Sequence, residues 1–227
     1  MRADLRLVIF DVDGTLVDSQ GDIVAAMTAA FADVAVLLPH RDTLLSIVGL
    51  SLEVAMPVLA PDQPDHVHVR MVQSYKDAYM QLRAEVGIEQ SSPLYPGAMD
   101  ALHALNLMPD MMLGIATGKS RRGLDKLIEG HALDGVFVTQ QVADFHPSKP
   151  HPSMIFQAMT DAGVTPENTV MIGDTSFDMD MATAAGVRGV GVNWGYHGAE
   201  KLGNAHVLIN GFEDLIPALQ NIWGPVG

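Results

Sequence analysis

The chain has 227 residues, with 13 Lys and Arg against 27 Asp and Glu, a formal charge of −14. That balance argues against nucleic acid and anionic membrane surfaces as partners, because both are held by basic patches. Apolar residues make up 48% and charged residues 18%, which excludes an unfolded chain, and the lack of Cys excludes disulfides, thiolate metal sites and a Cys nucleophile. No apolar run approaches the ~20 residues of a membrane span, and the first one is too short for a secretory leader. A soluble protein of the cytoplasm is expected.

Taken in chain order, Leu7-Val8-Ile9-Phe10 is an unbroken apolar run and predicts a strand buried on both faces. Residues 18–87 then carry only helical spacing. Ile23, Met27 and Phe31 recur at i, i+4. Ser51 is a candidate N-cap for a helix with Val54 and Val58, which Pro57 should kink or shorten. Val67, Met71, Tyr75, Tyr79, Leu82 and Val86 form a longer series that Gly87 closes. This helical stretch is too long for one strand-to-helix connection and predicts an inserted domain. Ser91-Ser92-Pro93 and Pro96-Gly97 mark the return.

Further strands are predicted at residues 112–116, 136–138, 169–172 and 187–192, with an edge strand at 207–209. Helical patterns lie between them: Ala101, Leu102, Leu105; Leu124, Leu127, Ile128; Ile155, Ala158, Met159. The alternation predicts a doubly wound α/β fold, a Rossmann-like parallel sheet. Residues 1–17 and 88–227 would form this core, and residues 18–87 an all-helical cap domain.

In such sheets ligands bind beyond the carboxyl ends of the strands. Those ends carry Asp11-Val12-Asp13-Gly14-Thr15, then Thr117-Gly118-Lys119, then Gly173-Asp174-Thr175-Ser176-Phe177-Asp178. Carboxylates gathered at one site repel unless a cation or shared proton relieves them. Oxygen donors without His or Cys favour Mg²⁺. A Mg²⁺ beside a carboxylate and a Thr-Gly turn makes a phosphate site.

These motifs resemble those of the haloacid dehalogenase superfamily, in its phosphoglycolate-phosphatase-like branch with a helical cap. The resemblance spans the chain and includes a fourth motif, Lys149-Pro150; Asn193-Trp194-Gly195-Tyr196 also resembles this branch. It implies an Mg²⁺-dependent phosphatase acting on a small phosphorylated metabolite through an aspartyl-phosphate. Asp11 would be the nucleophile and Asp13 the acid and base. Mg²⁺ would be held by the Asp11 side chain, the Asp13 backbone carbonyl and Asp174. Asp178 would bind a metal-bound water or orient Lys149. Thr117 and the Gly118 N–H would hold the phosphoryl oxygens, and Lys149 would neutralise them. Dehalogenases of the superfamily lack the second carboxylate, so Asp13 favours a phosphate ester or anhydride.

The resemblance also implies that the cap, folding over the site as a lid, sets specificity, through a loop here formed by residues 46–52. Gly49 and Ser51 are its candidate substrate contacts. The loop has no Arg or Lys, whereas β-phosphoglucomutases usually place a basic residue there. Alternatives are mutase or pyrophosphatase activity, or a non-catalytic phosphate-binding receiver. The glycines of residues 189–195 have the wrong spacing for a dinucleotide fingerprint. The nine His show no zinc spacing and are expected at the surface, although His151 could line the site. Arg121 and Arg122 are expected at a helix start near the rim, and Asp180 on a solvated face.

Overall fold

The computed structural model describes residues 5–224. The chain opens with β1 (Arg6–Phe10) and then enters α1 (Gln20–Asp33), α2 (Arg41–Leu45), α3 (Leu52–Leu59) and α4 (Asp65–Val86). It returns through α5 (Ile88–Ser91) and α6 (Ala98–Asn106). The rest alternates: β2 (Met111–Thr117), α7 (Arg121–Gly130), β3 (Thr139–Val142), α8 (Ser153–Ala162), β4 (Thr169–Gly173), α9 (Ser176–Ala185), β5 (Arg188–Val192), β6 (Val207–Ile209) and α10 (Leu215–Trp223).

The six strands form one sheet in the order β3-β2-β1-β4-β5-β6, with every pair parallel. Alternation along β1 divides the core. Val8 and Phe10 join α6, α7 and α10 on one face, while Leu7 and Ile9 join α8 and α9 on the other. A sheet covered on both faces needs such continuous apolar strands. The strand order reverses between β1 and β4, so their carboxyl ends flank the crevice where doubly wound sheets bind ligands.

One expected strand is misplaced. Residues 136–138 lie outside the sheet, with Val138 exposed, and the strand is the more polar Thr139–Val142. Pairing with β2 decides this: Gly114 to Thr117 align with Thr139 to Val142, and Thr139 and Gln141 satisfy their side chains on each other and on Asp161. Apolar content alone misled, because this edge strand buries polar groups in pairs.

Helices α1 to α4 enclose a separate apolar cluster built from Met27, Phe31, Leu44, Met56 and Met71 among others. Pro57 sits inside α3, which stops two residues later. Gly87, at φ +81°, ends α4. The outgoing and returning chains run side by side, since Val17 bridges Leu94 and the Asp18 N–H donates to the Pro93 carbonyl at 2.8 Å. Three of the histidines expected at the surface are buried: His68, His131 and His197. Each bonds a backbone carbonyl, Ala60, Ser92 and Ser46 respectively, so a ring nitrogen is satisfied on burial. Among the described residues no helix is long and apolar enough to cross a membrane.

Leu102 of α6 is fully buried against the sheet. Leu102→Ala should cost about 2–5 kcal/mol. Urea unfolding followed by circular dichroism checks this; a loss under about 1 kcal/mol would show that the α6 interface repacks freely.

Candidate active site

The site begins at the end of β1. Asp11 is 1% exposed and lies next to Lys149, whose Nζ is 2.8 Å from Asp11 Oδ1 and 2.7 Å from Asp178 Oδ1. Asp174, just beyond β4, and Asp178, in the first turn of α9, are fully buried. Asp11, Asp174 and Asp178 each offer an oxygen within 4.8 Å of the others.

Each group is held by short local geometry. Asp178 closes a capping box at the start of α9, its Oδ2 accepting from the Thr175 N–H at 3.0 Å and the Thr175 hydroxyl at 2.7 Å. Asp174 accepts from Thr15 Oγ1 at 2.9 Å and from the Tyr196 N–H at 2.8 Å. Two glycines make room for it. A Cβ on Gly14 would fall 2.2 Å from Asp174 Oδ2, and one on Gly195 2.1 Å from Asp174 Cβ. Gly14 also takes φ +80°, which L side chains disfavour.

The charges are crowded. Burial, opposed by Lys149 and reinforced by Asp178, pushes the Asp11 carboxyl up to about 7. Burial and the charges of Asp178 and Asp11 raise Asp174 well above the usual carboxylate range. Burial alone would lower Lys149, but Asp11 and Asp178 outweigh it and raise the ammonium. One cation among three carboxylates leaves excess negative charge, and Asp11 Oδ2 has no hydrogen-bond partner. A hard divalent cation fits this all-oxygen set, relieving the repulsion that raises both pKa values.

Asp13 faces elsewhere. Its Oδ1 lies 2.7 Å from Lys119 Nζ and accepts from the Ser19 hydroxyl, which also meets Tyr196 Oη at 3.1 Å. Its side chain is therefore outside the buried carboxylate cluster, where only its backbone carbonyl was expected to serve. Thr117 is buried at the end of β2 and its hydroxyl accepts the Lys119 N–H at 3.2 Å.

Asp11, Asp13, Thr117, Gly118 and Lys119 open on a cavity of about 590 Å³ whose other wall comes from α1, the 46–52 loop and α4. That loop presses on the core: a Cβ on Gly118 would lie 2.7 Å from the Gly49 carbonyl oxygen and 3.0 Å from that of Leu50. Gly49 lines the cavity, whereas Ser51 is turned away, its N–H donating to Ser148 Oγ at 2.9 Å. His197 also joins the two parts. Its Nδ1 accepts the Ser176 N–H, so Nε2 carries the proton and donates to the Ser46 carbonyl at 2.9 Å.

His151 is exposed and does not line the cavity; its Nδ1 accepts the Ser153 N–H. Arg121 is tied to Asp125 and Gln140, while Arg122 reaches the cavity wall. Asp180 is half-buried and accepts from Asn204. The sequence assigns no site role to Lys119, Ser19, Tyr79 or Arg83. Only the Tyr75–Tyr79 helical spacing hinted at them, and it reads equally as core.

Residues 8–192 match the haloacid dehalogenase-like hydrolase family model. The Dickeya dadantii (strain 3937) protein named "Probable phosphatase IndB" is 34% identical over 217 residues, covering 93% of this chain and 92% of its own. Phosphoglycolate phosphatase of Salmonella paratyphi A is 29% identical over 239 residues, covering 95% and 93%. A solved haloacid dehalogenase-like hydrolase from Streptococcus pneumoniae superposes with a TM-score of 0.81 at 26% identity, covering 95% of this chain and 99% of that one. The chain belongs to the haloacid dehalogenase-like hydrolases.

Lys149→Met removes the cation between two buried carboxylates. Without metal, it should cost about 3–5 kcal/mol in urea unfolding. Unchanged stability would mean that the Lys149 contacts with Asp11 and Asp178 contribute nothing net to the fold.

Proposed function

We propose that this enzyme, a phosphoric monoester hydrolase, is an Mg²⁺-dependent phosphatase that cleaves a small phosphate monoester through an aspartyl-phosphate. The observation that carries this reading is the buried Asp11–Asp174–Asp178 cluster, with Lys149 as its cation among the described residues, opening through Asp11 on the cavity beside residues 46–52. The names of the similar proteins supply the reaction class, phosphoglycolate phosphatase among them.

Asp11 would hold Mg²⁺ with Asp174 and the Asp13 backbone carbonyl. Both Asp178 oxygens are engaged, by Lys149 and by the α9 capping box, which supports a role in orienting Lys149 rather than binding metal directly. When bound, Mg²⁺ neutralises charge on the phosphoryl oxygens. An Asp11 oxygen attacks phosphorus, and the bond from phosphorus to the ester oxygen breaks. Asp13 donates its proton to that oxygen, releasing the alcohol. Both partners of Asp13 occupy Oδ1, so Oδ2 is the oxygen placed to carry the proton. Asp13 then takes a proton from water, whose oxygen attacks phosphorus and frees phosphate and the Asp11 carboxylate. The Thr117 hydroxyl, the Gly118 N–H and Lys149 hold the phosphoryl group through both steps.

Residues 18–87 would act as the cap, closing through the Gly49–Leu50 contact on Gly118 to keep bulk solvent from the acyl phosphate while admitting the one water that Asp13 activates. The 46–52 loop offers no cation to hold a second phosphate, which places a mutase below a phosphatase. A non-catalytic receiver would have no use for Asp13 as an acid and base beside the cavity.

Asp11→Asn should abolish release of phosphate from phosphoglycolate, and Asp13→Asn should lower kcat at least ~10²-fold. Label from a ³²P ester, quenched early, should sit on Asp11; label on Ser or His would refute the mechanism. Mg²⁺ should also raise the melting temperature of the wild type, since a ligand of the native state stabilises by mass action. Asp174→Asn should remove most of that increment in differential scanning calorimetry. An equal increment in the variant would move the metal away from this cluster.

A further inference from the structure

The two walls of the cavity differ in chemistry. The wall from the sheet is polar and carries Asp11, Asp13, Thr117, Gly118 and Lys119. The wall from the insertion is largely apolar, with Ile23 and Met27 of α1 and Ile47, Val48, Leu50 and Leu52 of the 46–52 loop and the start of α3. Ile23, Met27, Ile47 and Val48 also belong to the insertion's own apolar cluster, and none is more than 7% exposed. Side chains that border a cavity and are still buried place that space inside the insertion rather than on its surface.

The charged side chains that the insertion adds to this wall are engaged by the protein itself. Lys76 pairs with Glu53 at 3.2 Å. Arg83 donates to the Gly123 carbonyl, Tyr79 Oη and Ser92 Oγ, and its guanidinium lies 4.5 Å from the Tyr79 ring centroid. Water lying against Ile23, Met27, Ile47 and Val48 has few polar partners, and an apolar group that displaces it gains free energy. The volume, about 590 Å³, falls within the roughly 300–1,000 Å³ of pockets that enclose a drug-sized ligand. A two-carbon alcohol part held beside Asp11 would leave most of that space to water.

We propose that the apolar wall formed by α1 and the 46–52 loop is a leaving-group subsite, and that the substrate is a phosphate monoester of an apolar alcohol with a body much larger than glycolate. This rests on the reading of the site as a phosphatase and names the alcohol that is released. Such an ester is polar at one end and apolar along the rest, as the cavity is. Its phosphoryl group meets Asp11, Thr117 and Gly118, while its body lies against Ile23, Met27, Ile47 and Val48. The lack of Lys and Arg in the 46–52 loop fits this ligand, since a cation there would be desolvated against an apolar body. Contact with that remote body supplies binding energy that raises kcat/KM. The preference sets this chain apart from the relatives named for phosphoglycolate.

The experiment uses the full-length enzyme with Mg²⁺ and linear alkyl phosphates, beside phosphoglycolate and a hexose phosphate. In the wild type, kcat/KM should rise about fourfold per buried methylene along a series of about two to ten carbons, until the cavity is full. Each alkyl ester should also exceed the ester of equal length that ends in a hydroxyl, by about 10-fold, because that hydroxyl loses its water on entering. Ala55 of α3 lines the cavity and is 1% exposed. Ala55→Leu takes up part of the apolar space and should move the preferred chain length downwards. A purely structural effect of that substitution would lower all rates together and leave the optimum where it was. A flat chain-length profile, or phosphoglycolate or the hexose phosphate hydrolysed faster than every alkyl ester, overturns the inference while the phosphatase reading stands. Hydrolysis of none of the esters, phosphoglycolate included, overturns both. The wild-type profile decides the matter even if Ala55→Leu does not fold.

Discussion

Three buried carboxylates around one buried ammonium is the constraint on which the rest of the structure turns. Lys149 is 2% exposed and its ammonium bridges Asp11 and Asp178. Burying such charges is unfavourable unless every one is paired or hydrogen-bonded. The fold meets this with fixed donors: the Thr15 hydroxyl and Tyr196 N–H on Asp174, and the α9 capping box on Asp178. Asp11 keeps one oxygen without a partner. That incomplete satisfaction is the chemical resource of the site, because a group both desolvated and under-bonded gains most from a cation or a phosphoryl group.

The sheet explains why these residues can meet. Parallel β1 and β4 are neighbours in register, so Asp11 and Asp174 leave the same edge side by side. Close approach then demands glycine where a side chain would collide. A Cβ at Gly173 would lie 2.4 Å from Asp178 Cβ, just as Gly14 and Gly195 clear Asp174. The same edge receives the helical insertion immediately after Asp13 and takes the chain back alongside its exit. Polar contacts join the insertion to the core through His197, Ser148, Lys119 and Arg83, beside the packing of the 46–52 loop on Gly118.

The sequence by itself determined the class of fold, because short continuous apolar runs and 3.6-residue spacing are local and each element carries its own. It also placed Asp11, Asp13, Thr117, Asp174 and Asp178 at strand ends or one turn beyond, since strand termini are read directly and parallel strands share one carboxyl edge. It misread the third strand of the chain, where polar Thr139 and Gln141 are buried by pairing with Asp161 and not by hydrophobicity. It could not show that His197 ties core to insertion, that Asp13 turns to Lys119, or that Arg83 and Tyr79 face the cavity. Those facts join residues far apart in the chain, on elements whose local pattern is satisfied either way: the Tyr75–Tyr79 stripe looks like core packing until the opposite wall is known. Only the tertiary structure decided them, because which face of α4 meets protein and which meets a cavity depends on how the whole insertion sits over the sheet.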